Sequence, residues 1–279
     1  MVSRVLIVFG LVTFVTISMI IGALVQLAVI PRMEDSYGSE FSSRRRLDTQ
    51  HEGISLWADD EEASILRLGY VKPEIMNWAP RIILFHNFSS SEECDYLRGL
   101  AKDRLDESTV VDTATGKVIK SNIRTSSGMF LNFNERKYPI IQAIEKRISV
   151  YSQIPVENGE LIQVLRYEKD QFYRPHHDYF SNRLFTQFGG QRVATMLMYL
   201  SDNVEGGETH FPLAGAGECS CGGKPVTGVC VKPNKGDAVL FWSMGLDGQS
   251  DPKSVHGGCE VLAGEKWSAT KWMRQKKIF

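Results

Sequence analysis

The 279 residues include 32 basic and 33 acidic side chains, for a formal net charge of -1, and 43% of them are hydrophobic. That apolar content supports a buried core and excludes disorder throughout, and the length holds one sizeable domain or two small ones. Near-neutral charge removes the electrostatic reason to expect nucleic acid as a partner.

In chain order, a short tail of residues 1–4 precedes Val5 to Ile30, an apolar run with no charged residue. It exceeds the roughly 20 residues a helix needs to cross a bilayer, so the expectation is a transmembrane signal anchor over 5–30. Arg4 lies before the run and Arg32 and Arg44 to Arg46 after it, so charge alone leaves the orientation open. Residues 31–52 are polar and aperiodic, which reads as a stem, and the folded domain is placed at 53–279.

Arg81 to Phe85 is expected as a strand. Ser90 to Glu93 has a capping-box pattern, opening a helix with Cys94, Leu97, Leu100 and Ala101 on one face. Ile140, Ile141, Ile144, Ile148 and Tyr151 mark a second helix. Beyond residue 160 come short β-like runs at 161–168, 192–200, 207–211, 237–242 and 267–274. Helices first and strands afterwards argue an α+β domain built on a sandwich, barrel or jelly roll.

Asn203 to Lys235 reads as a loop near the site mouth. It holds Cys219, Cys221 and Cys230; Cys94 and Cys259 complete an odd count whose connectivity the sequence does not reveal. Cys-x-Cys is not the usual zinc-chelating spacing, so a disulfide staple is favoured over zinc. These cysteines and the sequon at Asn87 point toward a lumenal domain.

Tyr173 to Phe180 carries the chemistry. In extended backbone His176 and Asp178 face the same way while His177 points elsewhere. Imidazole and carboxylate supply two-thirds of a facial triad suited to non-haem iron(II), which leaves the opposite coordination positions open. For the third ligand, among His51, His86, His177, His210 and His256, the choice is His256, flanked by Gly257 and Gly258, with His210 as competitor. Alternation over 266–273 puts Lys266, Ser268, Thr270 and Trp272 on one face and Trp267, Ala269, Lys271 and Met273 on the other.

Together these segments, with Arg166-Tyr167, Gly190 to Thr195, Gly206 to Thr209, Gly236 to Trp242 and His256 to Cys259, resemble the 2-oxoglutarate- and Fe(II)-dependent prolyl 4-hydroxylases, in particular the plant-type, membrane-anchored members. The resemblance covers about residues 80 to 274. It implies a double-stranded β-helix core, with His176, Asp178 and His256 on iron and Lys266 holding the remote carboxylate of 2-oxoglutarate. Tyr167 and Thr270 are implied beside the cosubstrate, and Tyr173, Arg192 and Trp272 around the peptide. The implied activity is of the procollagen-proline 4-dioxygenase type, supported by ascorbate, on proline-rich secretory or cell-wall glycoproteins in polyproline II conformation. Peptidyl lysine hydroxylation and a noncatalytic proline-rich-peptide module are the alternatives. The expected location is the endoplasmic reticulum or Golgi membrane, as a single-pass type II protein with a lumenal catalytic domain, glycosylated at Asn87 and possessing no fixed expectation between homo- and hetero-oligomer.

Overall fold

The computed structural model describes residues 60–111, 118–120 and 123–279. The anchor at 5–30, the stem at 31–52 and His51 lie outside the described residues, among which no helix is long and apolar enough to cross a membrane.

Helix α1 (Glu61–Leu66) is capped by Asp60, whose carboxylate accepts from the Ala63 N–H at 2.9 Å. Strands β1 (Lys72–Trp78) and β2 (Arg81–His86) follow, then helix α2 (Ser91–Ala101). The expected capping box is present: the Glu93 N–H donates to Ser90 Oγ at 3.1 Å, and the Ser90 N–H to Glu93 Oε2 at 2.9 Å. Short strands β3 (Asp106–Glu107), β4 (Thr109–Val111), β5 (Val118–Lys120) and β6 (Ser127–Phe130) lead to helix α3 (Pro139–Ser152), which starts with proline at its first turn.

The rest is mainly β-structure with three short 3-10 turns: β7 (Gln163–Tyr167), β8 (Tyr173–His176), β9 (Arg192–Tyr199), β10 (Glu205–Gly206), β11 (Thr209–Phe211), β12 (Glu218–Cys221), β13 (Lys224–Thr227), β14 (Val229–Val231), β15 (Ala238–Trp242), β16 (His256–Gly258), β17 (Val261–Ala263) and β18 (Lys266–Arg274). Asn203 to Lys235 is therefore not the mouth loop expected from its glycines. Those glycines punctuate strands β10 to β14, and only Thr209 of this stretch lines the pocket described below.

The described fold is mostly antiparallel β with few helices, consistent with a jelly-roll core. A larger sheet has the order β1-β2-β15-β9-β18-β7-β6-β3, and a smaller one β14-β11-β16-β8. The two faces of the larger sheet differ. On one, Leu97 and Ala101 of α2 and Ile141, Ile144 and Ile148 of α3 pack on Val164, Met196, Leu240, Ala269 and Met273. Burying each large apolar side chain there stabilises by about 1.5–3 kcal/mol, and Ile144→Ala would cost about 2–5 kcal/mol. The buried Arg147 of α3 pairs with both carboxylate oxygens of Glu93 at 2.8 Å and donates to the Ile65 and Phe88 carbonyls, tying the three helices together. On the opposite face Tyr199, Val239 and Phe241 meet Phe211 and Val231 of the smaller sheet, and the space left between the sheets is the pocket.

Candidate active site

Strands β8 and β16 pair with His256 opposite His176. That close pairing depends on Gly257, where a Cβ would lie 2.9 Å from the Tyr173 carbonyl oxygen. Asp178, just past the end of β8, turns its carboxylate toward both rings: Oδ1 is 3.6 Å from His176 Nε2, and Oδ2 is 3.7 Å from His256 Nε2. One ligand atom from each of the three lies within 4.8 Å of the others.

The surroundings set the state of these groups. His176 Nδ1 donates to the Arg174 carbonyl at 2.9 Å and His256 Nδ1 to the Ser254 carbonyl at 3.0 Å, which leaves both Nε2 lone pairs facing the carboxylate. Burial, then the neighbouring His256, pushes His176 down to about 3. Burial would raise Asp178, but His256, His176, Arg192 and the Thr195 hydroxyl, which donates to Oδ2 at 2.6 Å, bring it down to about 2. Neutral imidazole and ionised carboxylate are the forms a divalent cation binds. The donor set and its fixed tautomers thus fit iron(II). Aromatic packing holds the rings: Tyr173 stacks on His176 with centroids 3.7 Å apart, and Phe241 lies 4.4 Å from His256.

The pocket is a narrow cleft of about 50 Å³ that opens to solvent. Lys266, Ser268, Thr270 and Trp272 of β18 line it, as the alternation predicts, with Tyr167 of β7 and Tyr173 of β8. Lys266 is 3% exposed and faces Tyr167 in register, its ammonium 5.5 Å from that ring and 5.7 Å from the Tyr199 ring. Among the described residues no carboxylate reaches it within ion-pair distance, and burial lowers its pKa to about 8 against the distant pull of Glu208. A buried cation without a counter-ion is costly alone and suits an anionic ligand. The site therefore also fits the remote carboxylate of 2-oxoglutarate.

The remaining expected residues are more dispersed. Arg192 borders the pocket through Trp272, its guanidinium 4.0 Å from that ring and bonded to both oxygens of Glu160 at 2.8 and 2.7 Å. His210 takes the face of β11 opposite Thr209 and meets the Thr227 carbonyl at 2.8 Å, away from the triad. His177 meets the Pro252 carbonyl at 2.9 Å, and His86 lies between Glu74 and Asp237. Asn87 is exposed. Cysteines pair as Cys219–Cys230 and Cys221–Cys259, the latter three residues beyond His256, and Cys94 is a buried free thiol.

Two residues escaped the sequence reading. Thr195 sits in a motif already singled out, but its bond to Asp178 comes from its place in β9. Arg124 lines the pocket, donates to Ser126 Oγ at 3.1 Å and Gln163 Oε1 at 3.3 Å, and lies over Tyr173; no local pattern marks it.

A pocket of this chemistry between antiparallel sheets defines the class of 2-oxoglutarate- and iron-dependent oxygenases, and residues 162–274 match the 2OG-Fe(II) oxygenase superfamily. The chain is 68% identical over 274 residues to prolyl 4-hydroxylase 1 of Arabidopsis thaliana, covering 97% of each. It is 54% identical to probable prolyl 4-hydroxylase 3 of the same plant, over 72% of this chain and 71% of that one. Among solved structures, a viral collagen prolyl hydroxylase from Paramecium bursaria Chlorella virus-1, in complex with 2OG, is 27% identical with a TM-score of 0.52, covering 69% of this chain and 95% of the other. The chain belongs to the plant prolyl 4-hydroxylase family.

Proposed function

We propose that this pocket hydroxylates peptidyl proline at C4, consuming 2-oxoglutarate and dioxygen and releasing succinate and carbon dioxide. The observation that carries the reading is the convergence of His176, Asp178 and His256 in one cleft with the uncompensated Lys266. Iron(II), when bound with 2-oxoglutarate and dioxygen, supplies the oxidation.

The chain's own residues do the rest. His176, Asp178 and His256 would hold the metal, and they line the same pocket as Lys266. Lys266 holds the far carboxylate of the cosubstrate, with Tyr167 and Thr270 beside it. Apolar walls from Leu165, Leu197 and Phe241 exclude water. On the substrate side, Tyr173 and Trp272 line the pocket with aromatic surface beside the metal ligands, and Arg192 braces Trp272. The buried Trp272 indole N–H has no partner among the described residues, so it suits a carbonyl of a polyproline II chain, whose backbone makes no internal hydrogen bonds.

In this reading residues 5–30 anchor the chain in the endoplasmic reticulum or Golgi membrane, 31–52 form the stem, and the catalytic domain over 53–279 faces the lumen. Two disulfides, and the exposed Asn87 at the head of a sequon, favour the lumenal side. Ascorbate serves to keep the iron reduced, and proline-rich secretory or cell-wall glycoproteins are the substrates. Protease protection in microsomes, with a glycosidase shift lost in Asn87→Gln, tests the orientation.

The activity test is mass spectrometry of a proline-rich peptide incubated with the detergent-solubilised full chain, iron(II), ascorbate and 2-oxoglutarate. The expected result is a gain of one oxygen on proline that depends on 2-oxoglutarate and disappears in His256→Ala. Oxygen gain on a lysine peptide instead would overturn the assignment of the acceptor.

A further inference from the structure

Phe130 ends the row of β6 side chains that faces the pocket. Successive residues of a strand point to opposite faces, so Met129 enters the core beneath the helices while Gly128 and Phe130 take the pocket side. Register places Phe130 opposite Gln163 and Gln163 opposite Thr270, so the three form one row across β6, β7 and β18. Gly128, one row deeper, faces Leu165, and a Cβ there would stand 2.6 Å from Leu165 Cδ2. No side chain of β6 therefore rises between Leu165 in the pocket wall and Phe130 at the outer end.

Phe130 is 49% exposed, and its ring centroid is 6.3 Å from that of Trp272, which lines the pocket and carries the Arg192 guanidinium on its ring. One exposed phenyl ring is ordinary on a protein surface. One that continues the aromatic wall of a peptide pocket has a specific geometry to offer. Gln163, between Phe130 and Thr270 in that row, is held by Arg124 at 3.3 Å, so Phe130 stands at the outer end of the wall, two strands from Thr270. A polyproline II chain has three residues per turn, so a proline three positions from the target presents its ring on the same side of the chain.

We propose that Phe130, with the edge of Trp272, forms a second proline subsite that takes a prolyl ring of the same substrate chain, one polyproline II turn from the hydroxylated residue. This rests on the reading that the pocket hydroxylates peptidyl proline. The occupant is apolar, ring-shaped and presented by a helix that needs no folding on binding, which suits a flat aromatic shelf beside the pocket.

The experiment compares peptides with a single target proline and either proline or alanine three residues before or after it, using the full chain loaded with iron(II) and 2-oxoglutarate. With the native chain, KM is expected to be about three- to tenfold lower for one of the two second-proline peptides than for its alanine counterpart, the size of one aromatic contact. Phe130→Ala should bring that KM ratio toward one, and Phe130→Tyr should restore it, with kcat following neither. Phe130→Leu, which keeps apolar bulk without the ring, should give an intermediate ratio. Proline hydroxylation with no KM preference for a second proline, or a preference that Phe130→Ala leaves intact, would overturn the subsite and leave the activity standing. Absence of hydroxylation on every proline peptide by the native chain would remove the activity and the subsite together.

Discussion

Strand β18 carries two buried lysines on opposite faces, and their surroundings separate the working side of the larger sheet from its structural side. Lys271 points toward α3, where its ammonium pairs with Glu145, whose other carboxylate oxygen accepts from Arg136 Nε at 2.7 Å. Lys266, five residues earlier, points into the pocket beside the Tyr167 and Tyr199 rings, with no carboxylate among the described residues in ion-pair reach. Burial lowers both to about 8. The protein therefore meets the desolvation of one cation internally and leaves the other to be met by a ligand. A buried charge with its partner in the fold contributes to structure, whereas one without a partner defines what must bind.

The largest effect expected from breaking this contrast is on ligand binding. Lys266→Ala should weaken 2-oxoglutarate by about 2–5 kcal/mol, thirtyfold or more, while the ligand-free protein loses no stability, since a buried unpaired charge has been removed. Titration calorimetry beside thermal unfolding reads both quantities, and a drop in ligand-free stability without loss of affinity would reverse the assignment. Lys271→Ala should do the opposite: stability falls by about 3 kcal/mol, at the low end for a broken buried pair because Arg136 still holds Glu145, and 2-oxoglutarate affinity stays as it was. Denaturant unfolding measures it.

Smaller effects sharpen the same boundary at the metal. Thr195→Val deletes the hydroxyl that holds Asp178 Oδ2 and should lower iron(II) affinity about tenfold to a hundredfold, with Thr195→Ser retaining most of it. Competition with a chromogenic chelator gives the dissociation constants. The smallest effect is the pH dependence of cosubstrate binding. Lys266 is depressed to about 8, so its charged form is present below that pH and lost above it; affinity for 2-oxoglutarate should fall about tenfold from pH 7 to pH 9. In Lys266→Ala that dependence should vanish, and in Lys271→Ala it should persist.

Legibility followed the range of the forces. The α2 capping box, the apolar faces of α2 and α3, and the alternation of β18 depend on neighbours within a few residues, and all are present where the pattern puts them. His176 and Asp178 share a side because extended backbone repeats every two residues. The choice between His256 and His210 is harder from sequence, since each stands in a short run close to a pair of glycines. Register decides where they go: His256 pairs with His176, while His210 pairs with Gly257 and turns toward Thr227. The Asn203–Lys235 segment reads as a loop because its strands are only two to four residues long, too short to show a period.

By itself the sequence determined the ligand types, the two faces of the final strand and the helices that cover one side of the sheet, because local backbone geometry repeats with a period that a string of residues displays. Only the tertiary structure decided which cysteines pair, that Arg124 and Thr195 enter the site, and that Lys266 lacks the carboxylate Lys271 has. Those depend on which strands become neighbours across gaps of tens of residues, and the energy that selects such neighbours is spread over the whole core rather than written in any one segment.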